Sequence, residues 1–324
     1  MSIEARILAE LSEYEYASGE KISEKLNITR AAVWKHINRL RERGYDIKAS
    51  PRNGYILSSR PDKLIAAELQ NRLQTSVIGS SIQSFEEIGS TADKARELAM
   101  RGVQDGTVLA AESQTQGRGR MERGWVTPPG QAIALSVILY PGFTPPQVPL
   151  LGLAASLAVR QAVESVTGLA PKLKWPNDIY LGGGKVAGIL VEMSAELDRV
   201  KWVVVSAGIN VNNRFDGTPL EGVARSLREA AGGRVSRLDV AVAFLAELDR
   251  YYIRGLSGKA AEAIRFDFEA NDMLQGREVE VQTPTGPVRG VASGIDADGR
   301  LLVRAADGSL SALFSGEASL ARSG

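Results

Sequence analysis

The chain has 324 residues, 44% of them hydrophobic and 24% charged, with a formal net charge of +1. That balance fits a folded chain of two or three domains and excludes a disordered or polyelectrolyte one. No apolar run is long enough to span a bilayer and no leader-like start is present, so a cytoplasmic protein without a membrane segment is expected.

Cysteine is absent and histidine occurs once, as His36. Disulfides, thiolate nucleophiles and Cys-ligated metals are thereby excluded. Beyond residue 36 no Ser-His-Asp triad, Cys-His dyad or His-rich zinc site can exist. Chemistry in the larger part of the chain must use Lys, Arg, carboxylates and a hard metal such as Mg²⁺.

Residues 1–60 predict three helices and a wing. Ile3, Ile7, Leu8 and Leu11 have helical spacing. Ser18-Gly19 opens a second helix with Ile22 and Leu26, and Asn27-Ile28 turns. Thr29 is a plausible N-cap for a third helix, in which Val33, Ile37 and Leu40 share a face. Two strand-like pieces, 45–49 and 55–57, flank Asn53-Gly54, a strong hairpin signal. This is the winged helix-turn-helix order. From Ile28 to Arg60, eight basic residues (Arg30, Lys35, Arg39, Arg41, Arg43, Lys48, Arg52, Arg60) face Glu42 and Asp46, a net of +6. Cations neutralise phosphates and Asn or Arg reads base edges. Thr29, Arg30, Lys35, His36, Asn38 and Arg39 on the third helix, with Lys48 and Arg52 on the wing, are therefore the candidate DNA contacts. A solvated helix face in a protein-docking domain is the alternative.

Residues 61–80 read as a linker leading into a helix. A strand at 84–88 then precedes Gly89-Ser90-Thr91-Ala92-Asp93, a helix-start signature. Thr107 to Ala111 is strand-like and runs into Gln114, Gln116 and the sequence Gly117-Arg118-Gly119-Arg120. The glycines deny this segment a rigid shape of its own, and the arginines supply forked donors for carboxylate or phosphate. Residues 132–140 form an apolar strand, 150–166 an Ala-rich helix, and 172–175 a short strand broken at Pro176. Further strands follow at 179–181, 185–192 and 202–212, with Gly182-Gly183-Gly184 as a turn, then helices at 238–252 and 258–269. The arrangement predicts an α+β domain with a mixed sheet over 81–271. Short alternating strands with Thr285-Gly286, Asp298-Gly299 and Asp307-Gly308 turns predict a small SH3-like barrel over 272–324.

Lys174-Trp175-Pro176-Asn177-Asp178 gathers a cation, a ring, an amide and a carboxylate at one strand end. Lys185 follows the glycine turn, and Gly208-Ile209-Asn210-Val211-Asn212 ends a buried strand in amides. Taken alone, Lys185 reads as an exposed turn lysine and Trp175 as a core aromatic.

In chain order, Gly-Ser-Thr opening a helix, GRGR followed by Trp, KWPND, GGK followed by VAGILVE, and GINVN resemble the biotin–protein ligases. The winged helix and terminal β domain resemble their bifunctional ligase/repressor (BirA-type) group. The resemblance implies a class II synthetase-like central domain. It also implies that biotin and ATP form biotinyl-5′-AMP with Mg²⁺, and that biotin then passes to a lysine of a carrier domain such as that of acetyl-CoA carboxylase. In this group the adenylate is corepressor, driving a homodimer onto operator DNA. Ser90, Thr91, Ala92 (through backbone only) and Gln114 would hold biotin. Arg118, Gly119 and Arg120 would close over its carboxylate and the phosphate. Lys185 would offset growing charge. Trp175, Asn177, Asp178 and Asn210 would place the nucleotide, with Asp178 also on the Mg²⁺. Two departures stand out. Ala92 occupies a position that is often Asn, and Met121-Glu122 one that often continues Arg-Gly, with Glu122 reducing the loop's charge. A DNA-binding ligand sensor without ligase activity, and a lipoate-type ligase, remain the alternatives at this point.

Overall fold

The computed structural model describes residues 3–11, 14–42 and 44–320, except the side chain of Glu122. Arg43 of the basic tally and residues 321–324 lie outside that range.

Helices α1 (Ile3–Glu10), α2 (Gly19–Leu26) and α3 (Arg30–Glu42) precede a hairpin of β1 (Asp46–Ser50) and β2 (Gly54–Ser59). Ser18 caps α2, Asn27 ends it in the left-handed conformation at φ 53°, and the Thr29 hydroxyl accepts from Ala32 N at 3.1 Å. Ile7, Leu8, Ile22, Val33, Ile37, Leu40 and Leu57 form a core separate from the rest of the chain.

Next come α4 (Ala66–Arg72), β3 (Ile82–Ile88), α5 (Thr91–Met100), β4 (Thr107–Gln114) and β5 (Ala132–Leu139). They are followed by α6 (Val148–Thr167), β6 (Lys172–Lys174), β7 (Asp178–Leu181), β8 (Gly184–Glu196) and β9 (Arg199–Asn210). The seven strands form one sheet in the order β3-β4-β5-β9-β8-β7-β6. The β3–β4 pair is parallel, because α5 crosses between them; all other pairs are antiparallel, so the sheet is mixed as expected. Helices α7 (Leu227–Ala231), α8 (Arg237–Arg254) and α9 (Gly258–Glu269) follow. The sequence reading passed over α7. Its five residues carry no periodicity, although the Ser226–Glu229 capping box marks its start.

Strands β10 (Glu278–Thr283), β11 (Gly286–Ile295), β12 (Leu301–Arg304), β13 (Leu310–Leu313) and β14 (Glu317–Leu320) form a five-stranded sheet ordered β13-β12-β11-β10-β14. Its Val279, Val281, Ala292, Ile295 and Val303 join the same core as α6, α8 and α9.

The segment joining the winged helix to the sheet is fixed by buried charge. Glu68 is fully buried and accepts from Tyr45 Oη at 2.7 Å and from Arg60 at 3.0 Å. Arg237, 1% exposed, donates to Glu112 at 2.8 Å and to the Asp62 carbonyl, while Glu112 accepts from Leu64 N at 2.6 Å. Charges this deep are tolerated because each has partners.

Candidate active site

Strand β9 alternates. Val203, Val205, Ala207 and Ile209 enter the core with α6 and α8, and Val204 packs with Ala95 and Leu98 of α5. Ser206, Gly208 and Asn210 follow Val204 on that second face at the strand period of two. Gly208 pairs with Gly188 of β8 on one side and Ala134 of β5 on the other. The side chains stop there and leave a low floor. Above it lies a cavity of about 360 Å³, a size that suits a small organic ligand. The Trp125 indole rests on the floor: a Cβ on Gly208 would approach three of its atoms at 2.4, 2.5 and 2.8 Å.

One end is neutral and polar. Ser90 caps α5, its hydroxyl accepting from Asp93 N at 3.4 Å. The Gln114 carbonyl accepts from Thr91 N at 2.8 Å and from Thr91 Oγ1 at 3.1 Å. Ser136 Oγ donates to Thr91 Oγ1 at 2.9 Å and lies 2.8 Å from Ser206 Oγ. The structure thus brings Ser90, Thr91, Ala92 and Gln114 together on one wall.

The other end is charged. Lys185 Nζ lies 2.6 Å from Asp178 Oδ1 and 5.7 Å from the Trp125 ring centre. Arg120 Nη1 donates to Asn177 Oδ1 at 2.9 Å, and Asn177 Nδ2 donates to Ile189 O at 2.7 Å. Asn210 Nδ2 and Arg225 N both donate to Lys185 O, at 3.3 and 3.0 Å, and Lys185 N donates to Val223 O. The 220–225 segment therefore fixes the backbone from which Lys185 projects. Burial pushes the Tyr180 phenol above its usual pKa, helped by Asp178 and Glu317. Burial lowers the pKa of Arg120, and Asp178 and Glu317 oppose that.

The segment 117–125 does have a shape of its own, contrary to the sequence expectation. Trp125 N donates to Gly117 O at 2.8 Å and Gly119 N to Arg123 O at 2.7 Å, closing a short hairpin. Gly117 is required there, since a Cβ would lie 2.3 Å from Trp125 O. Met121 at the tip takes φ 54°, a left-handed value that costs a side-chain-bearing residue.

The turn starting at Arg120 sends the two arginines to different places. Arg120 reaches Asn177, whereas Arg118 Nη2 pairs with Asp93 at 2.5 Å and approaches Glu192 at 3.5 Å. Both line the cavity with Gly119 and Lys185, and the partners described for Arg118 are the two carboxylates. Trp175 also lines the cavity. Its ring is 1% exposed and its Nε1 donates to Gly299 O at 3.1 Å, so the indole ties the sheet to the barrel. The sequence reading missed the barrel's share of the site. Arg123 pairs with both oxygens of Glu317 at 2.8 and 2.6 Å, and Arg120 Nη2 donates to Gly316 O at 3.4 Å.

A second candidate surface lies on α3. Arg30, Lys35 and Arg39 are exposed there, as are Lys48 and Arg52 on the wing. Trp34, 58% exposed, stands among them and was not anticipated. His36 is turned inward: its Nδ1 lies 2.8 Å from Glu4 Oε1 on α1, which removes it from the exposed face. Asn38 Oδ1 accepts from Arg41, itself bound to Ile47 O of β1, so its amide group is oriented against the wing.

Three family models match: the biotin/lipoate A/B protein ligase family over residues 85–212, an HTH domain over 4–56, and the biotin protein ligase C-terminal domain over 275–321. A bifunctional ligase/repressor BirA of Bacillus spizizenii is 39% identical over 91% of each chain. The one from Escherichia coli is 29% identical, covering 98% of this chain and 97% of its own. A biotin protein ligase from Aquifex aeolicus, solved with biotin and ATP, superposes on 75% of this chain and all of its own at 29% identity, with a TM-score of 0.65. The fold and the two-ended cavity define a ligand-activating ligase domain joined to a DNA-reading one. The chain belongs to the biotin protein ligase family, in its bifunctional ligase/repressor branch.

Proposed function

We propose that this chain activates biotin with ATP and transfers it to a lysine of a biotin carrier domain of the acetyl-CoA carboxylase type. In the first step a biotin carboxylate oxygen bonds to the α-phosphorus of ATP while the bond to the leaving β-phosphate oxygen breaks. This gives biotinyl-5′-AMP and pyrophosphate. In the second, the carrier lysine's nitrogen bonds to the acyl carbon, AMP leaves, and a proton leaves the nitrogen. Neither step needs an imidazole or thiol, and this chain has neither beyond residue 36.

The observation carrying the reading is the division of one cavity into a neutral hydrogen-bonding end and a cationic end. Ser90, Thr91 and Gln114 can exchange hydrogen bonds with a ureido ring. Arg120 and Lys185, held by Asn177, Asp178 and Asn210, stand where phosphate charge would gather. Preorganised cations lower such barriers because they need not reorient as charge develops.

The donors near Lys185 are oxygens of Asp178 and Asn177, and among the described residues no group of three His, Cys, Asp or Glu could hold a metal alone. That set fits Mg²⁺ arriving with the nucleotide, with Asp178 as its protein ligand. Bound there, Mg²⁺ would neutralise phosphate oxygens.

The winged helix makes the same protein a biotin-responsive repressor, with biotinyl-5′-AMP as corepressor and a homodimer as the operator-binding form. No helix among the described residues is long and apolar enough to cross a membrane, and we place the protein in the cytoplasm with its carrier and operator. The divisions near residues 60, 80 and 271 then separate DNA reading, linker, ligand activation and barrel. Incubating the protein with labelled biotin, ATP, Mg²⁺ and a carrier-domain fragment should label one lysine; absence of label on the carrier would refute the ligase reading.

A further inference from the structure

Arg118 lines the cavity with two carboxylates as its partners, and its surroundings give it a task besides ligand contact. Asp93 lies in the first turn of α5, three residues after the Ser90 cap. Glu192 lies on β8, paired with Val204 of β9. The two carboxylates flank the root of the 117–125 hairpin from different elements. Arg118 Nη2 lies 2.5 Å from Asp93 Oδ1 and 3.5 Å from Glu192 Oε1. Arg96, one turn along α5, meets the same two groups at 3.0 and 3.6 Å. The result is an alternating cluster of two guanidinium and two carboxylate groups that joins helix, hairpin and sheet.

We propose that Asp93 and Glu192 are positioning residues: by holding Arg118 they anchor the hairpin over the biotin end of the cavity and slow the escape of biotin and its adenylate. This deepens the ligase reading and rests on it. The hairpin's own bonds, Trp125 to Gly117 and Gly119 to Arg123, fix its shape but not its attachment to the sheet. Attachment comes from side chains at three points. Arg123–Glu317 is one, with side chains 65% and 45% exposed, so water screens it strongly. Arg120, bonded to Asn177 and Gly316 O, is the second and holds the phosphate end. Arg118 is the third and holds the ring-binding end. Its side chain is 32% exposed and Glu192's is 21%, and it has two carboxylates rather than one. The anchored end is also next to Ser90, Thr91 and Gln114, so loosening it opens the ring-binding end rather than the phosphate end.

Two measurements test this. Arg118 and Arg120 are half-buried, so trypsin should cut after them mainly when the hairpin lifts, and cleavage at these two sites is the readout. Asp93→Asn should speed cleavage in the ligand-free chain, Glu192→Gln should do so less, and Asp93→Glu should restore protection. In the liganded enzyme, Asp93→Asn should raise KM for biotin and speed adenylate release by about three- to tenfold, with kcat at saturating biotin moving less. Combining Asp93→Asn with Arg118→Gln should give little more than Arg118→Gln alone, because both remove one contact. Unchanged trypsin cleavage, or effects of the two substitutions that simply add, would overturn the anchor. A wild-type protein that makes no adenylate would instead sink the ligase reading, and the ligand-free cleavage result would still decide the anchor.

Discussion

Lys185→Ala is the sharpest test of the chemistry, because the structure separates its effects on stability and on rate. The lysine's only ion pair described is with Asp178, and the two side chains are 29% and 22% exposed. Losing such a pair costs at most about 1 kcal/mol of stability, too little to unfold the chain. Losing one preorganised charge at a transition state costs roughly 3–4 kcal/mol, a factor on the order of 10²–10³ in rate. The backbone would stay in place, since Asn210 Nδ2, Val223 O and Arg225 N bond the main chain of residue 185. Pyrophosphate release at saturating biotin and ATP should therefore fall by that factor while the melting midpoint barely moves. Near-normal pyrophosphate release in the variant refutes the role.

Four further outcomes are expected. Gly208→Ala should displace the Trp125 indole, whose atoms lie 2.4–2.8 Å from the added Cβ, and weaken biotin binding in calorimetry; unchanged affinity would show that this seat is dispensable. Glu112→Ala leaves Arg237, 1% exposed, with only the more distant Asp62 carboxylate at 3.6 Å, and should cost about 3 kcal/mol in urea unfolding; a shift below 1 kcal/mol, about the value of a surface pair, would contradict the burial argument. Burial raises the Asp272 carboxyl from 3.8 to about 7, so its contribution to stability is complete below 3.8 and is lost as pH rises through about 7. Asp272→Asn should remove that decline, worth at most about 4 kcal/mol, and an unchanged pH–stability curve would count against the shift. Lys35→Ala should lower the slope of log K for DNA against log salt by about one, and an unchanged slope would remove Lys35 from the phosphate contacts.

Much of the site was legible because its residues sit at element ends that the sequence marks. Ser90 caps α5, Lys185 follows a glycine turn, and Asn210 closes an apolar strand; such signals are local. What was not legible depends on distance and on the direction of a turn. Trp175 and Trp125 look alike in sequence, and only tertiary structure assigns one to Gly299 O, 124 positions away, and the other to a glycine floor. Arg118 and Arg120 are two residues apart, and in a straight strand they would share a face. The turn beginning at Arg120, with Met121 at φ 54°, sends them apart, and no periodicity foretells it. Glu317 and Gly316 enter the site from 194 and 196 positions away.

The joints between the parts differ in kind, and this bears on which activities can be separated. The winged helix has its own apolar core, against which Ile65 packs, and otherwise meets the sheet through the hydrogen-bonded polar groups of Tyr45, Arg60, Glu68, Asp62 and Arg237. Cutting such a joint exposes charges that water solvates readily, so each side can keep its core. The barrel instead shares one continuous apolar core with α6, α8 and α9, and Trp175 crosses between them. It also supplies the backbone oxygen of Gly316 to Arg120. Removing it would expose apolar surface and strip a partner from a group at the reacting end. By this argument the catalytic unit is the sheet together with the barrel, and DNA reading is the separable addition.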